Sequence, residues 1–222
     1  MPTINDRVNL YKLTHKYLRI EIGDTAKLAG STDFNDETER HQFVARFKAL
    51  TELLHDHAMR EETYIHPLLK ECKNKALTQT EKEHQSLEQQ ITLLTINLEK
   101  IENQQTAYQF YLDLTQFYAD YLQHLISEER LLLPELQKQC SDDQLNIASK
   151  NILADMPKEA MISITKGMLT AINHPERAHM FKAMKAGMPP AVFAHFLSLA
   201  SDVLQPEQMQ KLCLALDDFS TP

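Results

Sequence analysis

Phe43, Phe47, Leu50, Leu54, His57, Glu61, Tyr64 and Leu68 are spaced alternately four and three residues apart. That spacing holds all of them on one face of a single long helix. Adding 67 to the first seven numbers gives Phe110, Leu114, Phe117, Tyr121, His124, Glu128 and Leu131, so the same face is written twice. Two further stripes, Val8-Tyr11-His15-Leu18-Ile22 and His84-Leu87-Ile91-Leu94-Leu98, share one 3-4-3-4 spacing. Short polar breaks at 29–36, 73–79 and 102–106 separate the four segments. Long amphipathic helices joined by short loops pack as antiparallel neighbours. The sequence therefore predicts an all-α, up-down-up-down four-helix bundle over residues 1–140. Pro67 and Pro134, late in the two repeated helices, are placed to tilt the last turns or end them.

After Cys140 the pattern shortens. Pro157, Pro175, Pro189-Pro190 and Pro206 punctuate it, and proline is well tolerated in a first helical turn. Residues 141–222 are expected to form four or five short helices, appended to one end or side of the bundle. Seven of the nine methionines lie there, which reads as adaptable packing.

The scarcity of glycine and the dominance of Leu, Ala, Glu, Gln and Lys favour helix over strand. A net charge of −8 without a basic stripe argues against a nucleic-acid partner. The longest apolar run is five residues, Leu212–Leu216, far short of the roughly 20 that span a bilayer. The first residues lack the charged-then-apolar pattern of a secretory signal. Three cysteines, an odd and sparse set, fit a reducing compartment. These features together predict a cytoplasmic protein.

Each stripe carries one histidine where a bundle normally places leucine, and the two repeated stripes add a glutamate one turn later. Residues four apart differ by only about 40° around a helix and about 6 Å along it. His57 and Glu61 therefore point into one volume, as do His124 and Glu128, and His15 and His84 meet them at similar depth. Burying four imidazoles and two carboxylates among apolar side chains is costly unless they pair or coordinate a metal. Two bridging glutamates and four histidines give each of two ions four protein ligands. An oxo or hydroxo bridge then leaves about one open position on each octahedral ion. Mixed imidazole and carboxylate ligands with open positions point to non-haem iron, with Zn or Mn as possible substitutes.

The order His15 … His57-x-x-x-Glu61 … His84 … His124-x-x-x-Glu128, with the phrase His-x-x-x-Glu-Glu written twice and a proline soon after each, resembles the hemerythrin-like, HHE cation-binding family across residues 1–140. The resemblance implies a di-iron centre inside a four-helix bundle. It makes His15, His57, His84 and His124 terminal ligands, and Glu61 and Glu128 bridging carboxylates. The oxygen-carrying members use five histidines, two of them one turn apart on the third helix. Here Glu88 stands one turn after His84. The chain is thus similar to the four-His, two-Glu branch, which includes iron- and oxygen-sensing domains and proteins proposed to repair iron–sulfur centres.

The implied function is binding or sensing of dioxygen, nitric oxide or peroxide rather than oxygen carriage. A di-iron oxidase or peroxidase, and an iron donor or store serving iron–sulfur repair, are the alternatives. The repair proteins carry an N-terminal cysteine-bearing segment, and no cysteine precedes Cys72 here. Residues 141–222 lie outside the resemblance, and nothing in them specifies a protein partner.

His55 falls roughly 160° around the helix from His57. His66 is also out of phase, and His41, His174, His179 and His195 have no partner pattern. All six read as surface or packing residues. Glu52-x-x-His55 and Glu81-x-x-His84 imitate the ferritin-like Glu-x-x-His motif, but Glu52 and His55 miss the stripe. Glu88 reads as a solvated helix edge. Tyr64 and Tyr121 read as bundle packing near the motif, and Cys72 and Cys140 as idle thiols rather than a redox pair.

Overall fold

Each bundle helix whose start follows a polar break begins at a side chain that replaces a missing intrahelical partner. Asp36 accepts from the backbone N–H groups of Thr38 and Glu39, opening α2 (Glu37–Arg60). Asn74 accepts from Ala76 and Leu77, opening α3 (Lys75–Glu99). Asn103 and Thr106 form a reciprocal capping box that opens α4 (Gln104–Ser127). These caps correct two expected loops. Lys75–Gln79 and Gln104–Thr106 are first turns of helix, because polar residues there serve the helix start rather than a connection. The first helix, α1, spans Lys12–Ser31.

In this computed structural model, which describes residues 7–70 and 74–217, α1 packs beside α2 and α4, and α3 packs beside the same two. The result is the expected all-α four-helix bundle. Its core contains Leu18, Ile22, Phe47, Leu50, Leu94, Leu114 and Phe117. Phe34, Phe43 and Phe110 close one end edge-to-face, with ring centroids 5.3–6.2 Å apart. A second apolar cluster, with Tyr11, Ile65, Leu69, Leu77, Leu132 and Leu136, forms at the other end. Along every helix the predicted His and Glu positions fall between residues of the first cluster and residues of the second. The polar layer is thus plugged by hydrocarbon on both sides.

The two repeated helices depart from regular geometry at the same place. Glu61–Ile65 and Glu128–Leu132 are single π-helical turns. The N–H of His66 reaches the carbonyl of Glu61, and that of Leu133 the carbonyl of Glu128, five residues back rather than four. Pro67 and Pro134 follow immediately. Each lacks an N–H and crowds the carbonyl four residues before it, a strain that a wider turn relieves. The extra residue shifts the buried stripe by one. Tyr64, Leu68 and Leu131 leave the core face predicted for them, and Ile65, Leu69 and Leu132 take it. Leu131 is 49 % exposed and Leu132 fully buried. After the first π turn the chain makes a short 3-10 turn, His66–Leu68; after the second it continues as α5 (Leu133–Gln139).

The chain divides into two compact units, Met1–Ala154 and Asp155–Pro222. Helix α6 (Asp142–Asp155) buries Leu145 with Leu132 and Leu136 of the bundle. Arg7 ties the N-terminal segment to that region, bonding Asp142 Oδ1 and the carbonyls of Gln137 and Cys140 at 2.7–2.8 Å.

The second unit contains α7 (Lys158–Ala171), α8 (His174–Gly187), α9 (Pro190–Val203) and α10 (Pro206–Asp217). A proline sits within one residue of the start of each, as expected. Leu169, Phe181, Phe196, Ala200 and Leu212 make its core, with Met161, Met180, Met184, Met188 and Met209 at the margins. No helix among the described residues is long and apolar enough to cross a membrane. Cys140 is buried and Cys213 exposed; Cys72 lies outside the described residues.

The π turn makes a direct test possible. Leu132→Ala is expected to destabilise the bundle by about 2–5 kcal/mol. Leu131→Ala should stay within about 0.5 kcal/mol of wild type. Urea unfolding of both variants checks this, and the reverse order would restore the unbroken α-helical register.

Candidate metal centre

The six predicted side chains meet in one volume. His15 comes from α1, His57 from α2, His84 from α3 and His124 from α4. Glu61 and Glu128 each open a π turn, one α-helical turn after a histidine. The N–H of Glu61 still bonds back to His57, and that of Glu128 to His124. Glu61 Oε1 lies 3.1 Å from His57 Nε2 and 3.7 Å from His15 Nε2, while its Oε2 lies 3.4 Å from His84 Nε2. Glu128 Oε2 lies 3.4 Å from both His15 and His124 Nε2, and its Oε1 lies 3.6 Å from His84 Nε2. Each carboxylate therefore turns one oxygen to His15 and the other to His84.

Two ligand-type clusters result: His15, His57, Glu61 and Glu128, and Glu61, His84, His124 and Glu128. In each, one atom per residue lies within 4.8 Å of all the others. Both clusters contain both glutamates. Donors bound at about 2.1 Å to a common ion stand roughly 3–3.5 Å apart, and the distances above fall near that range.

The centre is buried and unsatisfied. His15 and Glu128 are fully buried, and Glu61, His84 and His124 nearly so. None of the close contacts around Nε2 of His15, His57 or His84 is aligned as a hydrogen bond. All four carboxylate oxygens of Glu61 and Glu128 lack a hydrogen-bond partner. Buried polar atoms left so are costly. Here their lone pairs converge, which is the donor set a divalent cation needs.

Electrostatics describe what these groups do by themselves. Burial would push His15 down, but contacts with Glu129, Glu61 and Glu128 outweigh it and hold its pKa at about 9. Burial likewise opposes His84, and Glu128 and Glu61 raise it to about 11. Burial would raise Glu61, yet His57, His15 and His84 hold it well below the usual carboxylate range. Tyr11 and Tyr121 are pushed up, first by burial and then by the two carboxylates.

Three carboxylates that the sequence reading left without a role orient the imidazoles from behind. Glu129 Oε1 lies 3.0 Å from His15 Nδ1, Glu62 Oε1 2.9 Å from His84 Nδ1, and Glu83 Oε2 3.0 Å from His124 Nδ1. An ionised carboxylate only accepts, so each Nδ1 is the donor and each Nε2 faces the centre. Arg19 backs Glu129 at 2.8 Å. The contacts with His15 and Arg19 outweigh the opposing effect of burial and lower the Glu129 pKa to about 2. The doubled Glu-Glu of each motif was the available signal. Its first member turns inward, and its second, about 100° further round, reaches a histidine on the neighbouring helix. Glu83 carries no such signal beyond standing next to His84.

The remaining histidines fall as surface or packing residues. His66 is buried, its ring stacked on His84 with centroids 5.2 Å apart. His41, His55, His179 and His195 are exposed and His174 half-buried. Glu88 is exposed, 3.8 Å from His55, and outside both clusters. Tyr121 is buried edge-on to His124 at 5.7 Å.

Searches of curated proteins and of solved structures return no match to this chain. A family model does match, the hemerythrin HHE cation-binding domain, over residues 6–136. That span covers more than half of the chain and contains all six inward-facing residues and both π turns. The chain belongs to the hemerythrin HHE cation-binding family.

Proposed function

We propose that this protein is a non-haem di-iron protein that binds or senses dioxygen or a related small molecule such as nitric oxide or peroxide. One observation carries the reading: two clusters of ligand-type side chains share both glutamates, and all four oxygens of those glutamates are buried without hydrogen bonds. In this reading His15 and His57 hold one ion, His84 and His124 the other, and Glu61 and Glu128 bridge them. Two ferrous ions held there would supply reducing electrons and open coordination positions to an incoming ligand; Zn or Mn would occupy the same donors without that redox chemistry.

The protein's own groups then have defined tasks. Glu62, Glu83 and Glu129 fix the tautomers of His84, His124 and His15. The apolar clusters above and below exclude bulk water. A sparse set of thiols suits a reducing cytoplasmic setting.

The deciding experiment is anaerobic purification, metal analysis per chain, and a visible spectrum before and after oxygen. Two irons and a reversible new band support the binding or sensing reading. Two irons that oxidise irreversibly with turnover of a reductant favour an oxidase or peroxidase. Iron that moves to an acceptor favours a donor. A folded chain with no metal overturns the di-iron reading altogether.

Two quantitative outcomes follow from the geometry. Glu129→Ala or Glu62→Ala should weaken metal affinity about 10–100-fold by freeing one imidazole, which competition with a chelator measures. At neutral pH the metal-free chain holds protons on His15 and His84, whose pKa values of about 9 and 11 lie above the ordinary 6.5. The stability contributed by the His15 pairing is therefore full below pH 6.5 and lost as pH rises through about 9. Metal must displace both protons, so loading at pH 7 should release about two protons per chain. Titration calorimetry in buffers of different ionisation enthalpy reads that number, and a value of zero would contradict it.

A further inference from the structure

The two halves of the centre are not equally enclosed. A cavity of about 320 Å³ opens between α2 and α3 and reaches the imidazoles of His84 and His124, with Tyr121 beside them. Neither His15 nor His57 lines it. The reason lies one turn beyond each histidine. After His15 comes Arg19, which pairs with Glu129 at 2.8 Å across the α1–α4 seam. After His84 comes Glu88, which cannot pair with Glu62, the carboxylate that holds His84. Glu88 faces His55 instead, 3.8 Å away at the exposed rim. A basic residue closes one seam, and an acidic one leaves the other open.

The lining defines what fits. The walls are Leu54, Ala58, Leu87 and Ile91, and the rim carries the carboxylates Glu52, Glu62 and Glu88. The volume is roughly ten times the share of one water, far more than a diatomic fills and at the lower end of small-molecule pockets. Apolar walls favour hydrocarbon. Three carboxylates against one histidine, His55, leave the rim acidic, which disfavours anions.

We propose that this cavity is the binding pocket for a neutral, largely aliphatic small molecule ending in a hydroxyl or hydroperoxyl group, with that oxygen set against the His84/His124 half of the centre. The proposal rests on the metal-centre reading above and gives it a ligand class. The His15/His57 half takes no external ligand.

The test uses the full chain loaded with Co(II), whose visible spectrum reports coordination changes, and n-alkanols from methanol to hexanol as probes. Affinity should tighten about fourfold per methylene until the cavity is full. Ala58→Phe should weaken hexanol binding at least tenfold with cobalt content unchanged, and Ile91→Phe, on the opposite wall, should do the same if the first variant folds poorly. Replacing two of the three rim carboxylates, Glu52→Gln with Glu88→Gln, should tighten hexanoate while leaving hexanol unaffected. Cobalt-loaded protein with no chain-length dependence, or with both filled variants binding hexanol as wild type does, overturns this pocket alone. A folded chain that takes up no cobalt overturns the metal-centre reading and the pocket with it.

Discussion

Two carboxylates, Glu61 and Glu128, are buried side by side with all four oxygens unbonded, and the rest of the bundle is arranged around that fact. A buried charge without a partner costs several kcal/mol or more. In the metal-free chain the cost is met by protonation: His15 and His84 stay charged well above their ordinary range because the carboxylates are there. Divalent cations would do the same job with better geometry, since each carboxylate already offers one oxygen to either side. The pair of glutamates is thus only partly compensated by the histidines around it, and a divalent cation would complete the set.

The π turns explain how a helix supplies both an inward-facing carboxylate and the group that steadies a histidine on a neighbouring helix. A regular α-helix places Glu61 inward and Glu62 beside it, but it would then carry Tyr64 into the space below. The additional residue in Glu61–Ile65 moves Tyr64 off the core face and brings Ile65 under the centre, into the second apolar cluster. Glu128–Leu132 repeats the device with Leu131 and Leu132. The chain buries polar groups at one level and resumes hydrocarbon one residue later than α periodicity allows. This keeps water from both faces of the polar layer.

Most of the bundle and the inward-facing set were legible because helical period is a property of spacing alone. Eight of the positions in the two long stripes obey it up to the histidines, and the first glutamates still obey it. What followed the glutamates was not legible, because the π turn changes the period and no residue type announces it; Pro67 and Pro134 hinted at a disturbance without giving its size. The roles of Glu62, Glu129 and Glu83 also escaped, for a different reason. They depend on which helix lies alongside, and a stripe says nothing about a neighbour. The first turns at Lys75 and Gln104 were missed because a cap and a loop use the same polar residues.

The internal repeat relates α2 to α4 by sequence, and the centre extends that relation to α1 and α3: Glu129 holds His15 as Glu62 holds His84. The departures from this pseudo-symmetry set the two halves apart. Glu83 stands behind His124, whereas the residue before His15 is Thr14. His66 stacks on His84, whereas its counterpart in the second repeat is Leu133, a core residue. Arg19 closes over Glu129, whereas Glu88 turns away from Glu62. A perfectly repeated site would hold two equivalent positions and give a ligand no reason to choose. Here Glu83 and His66 add polar groups on the His84/His124 side, while the Arg19–Glu129 pair closes over His15, so the difference between the halves is written in side chains outside the six inward-facing residues.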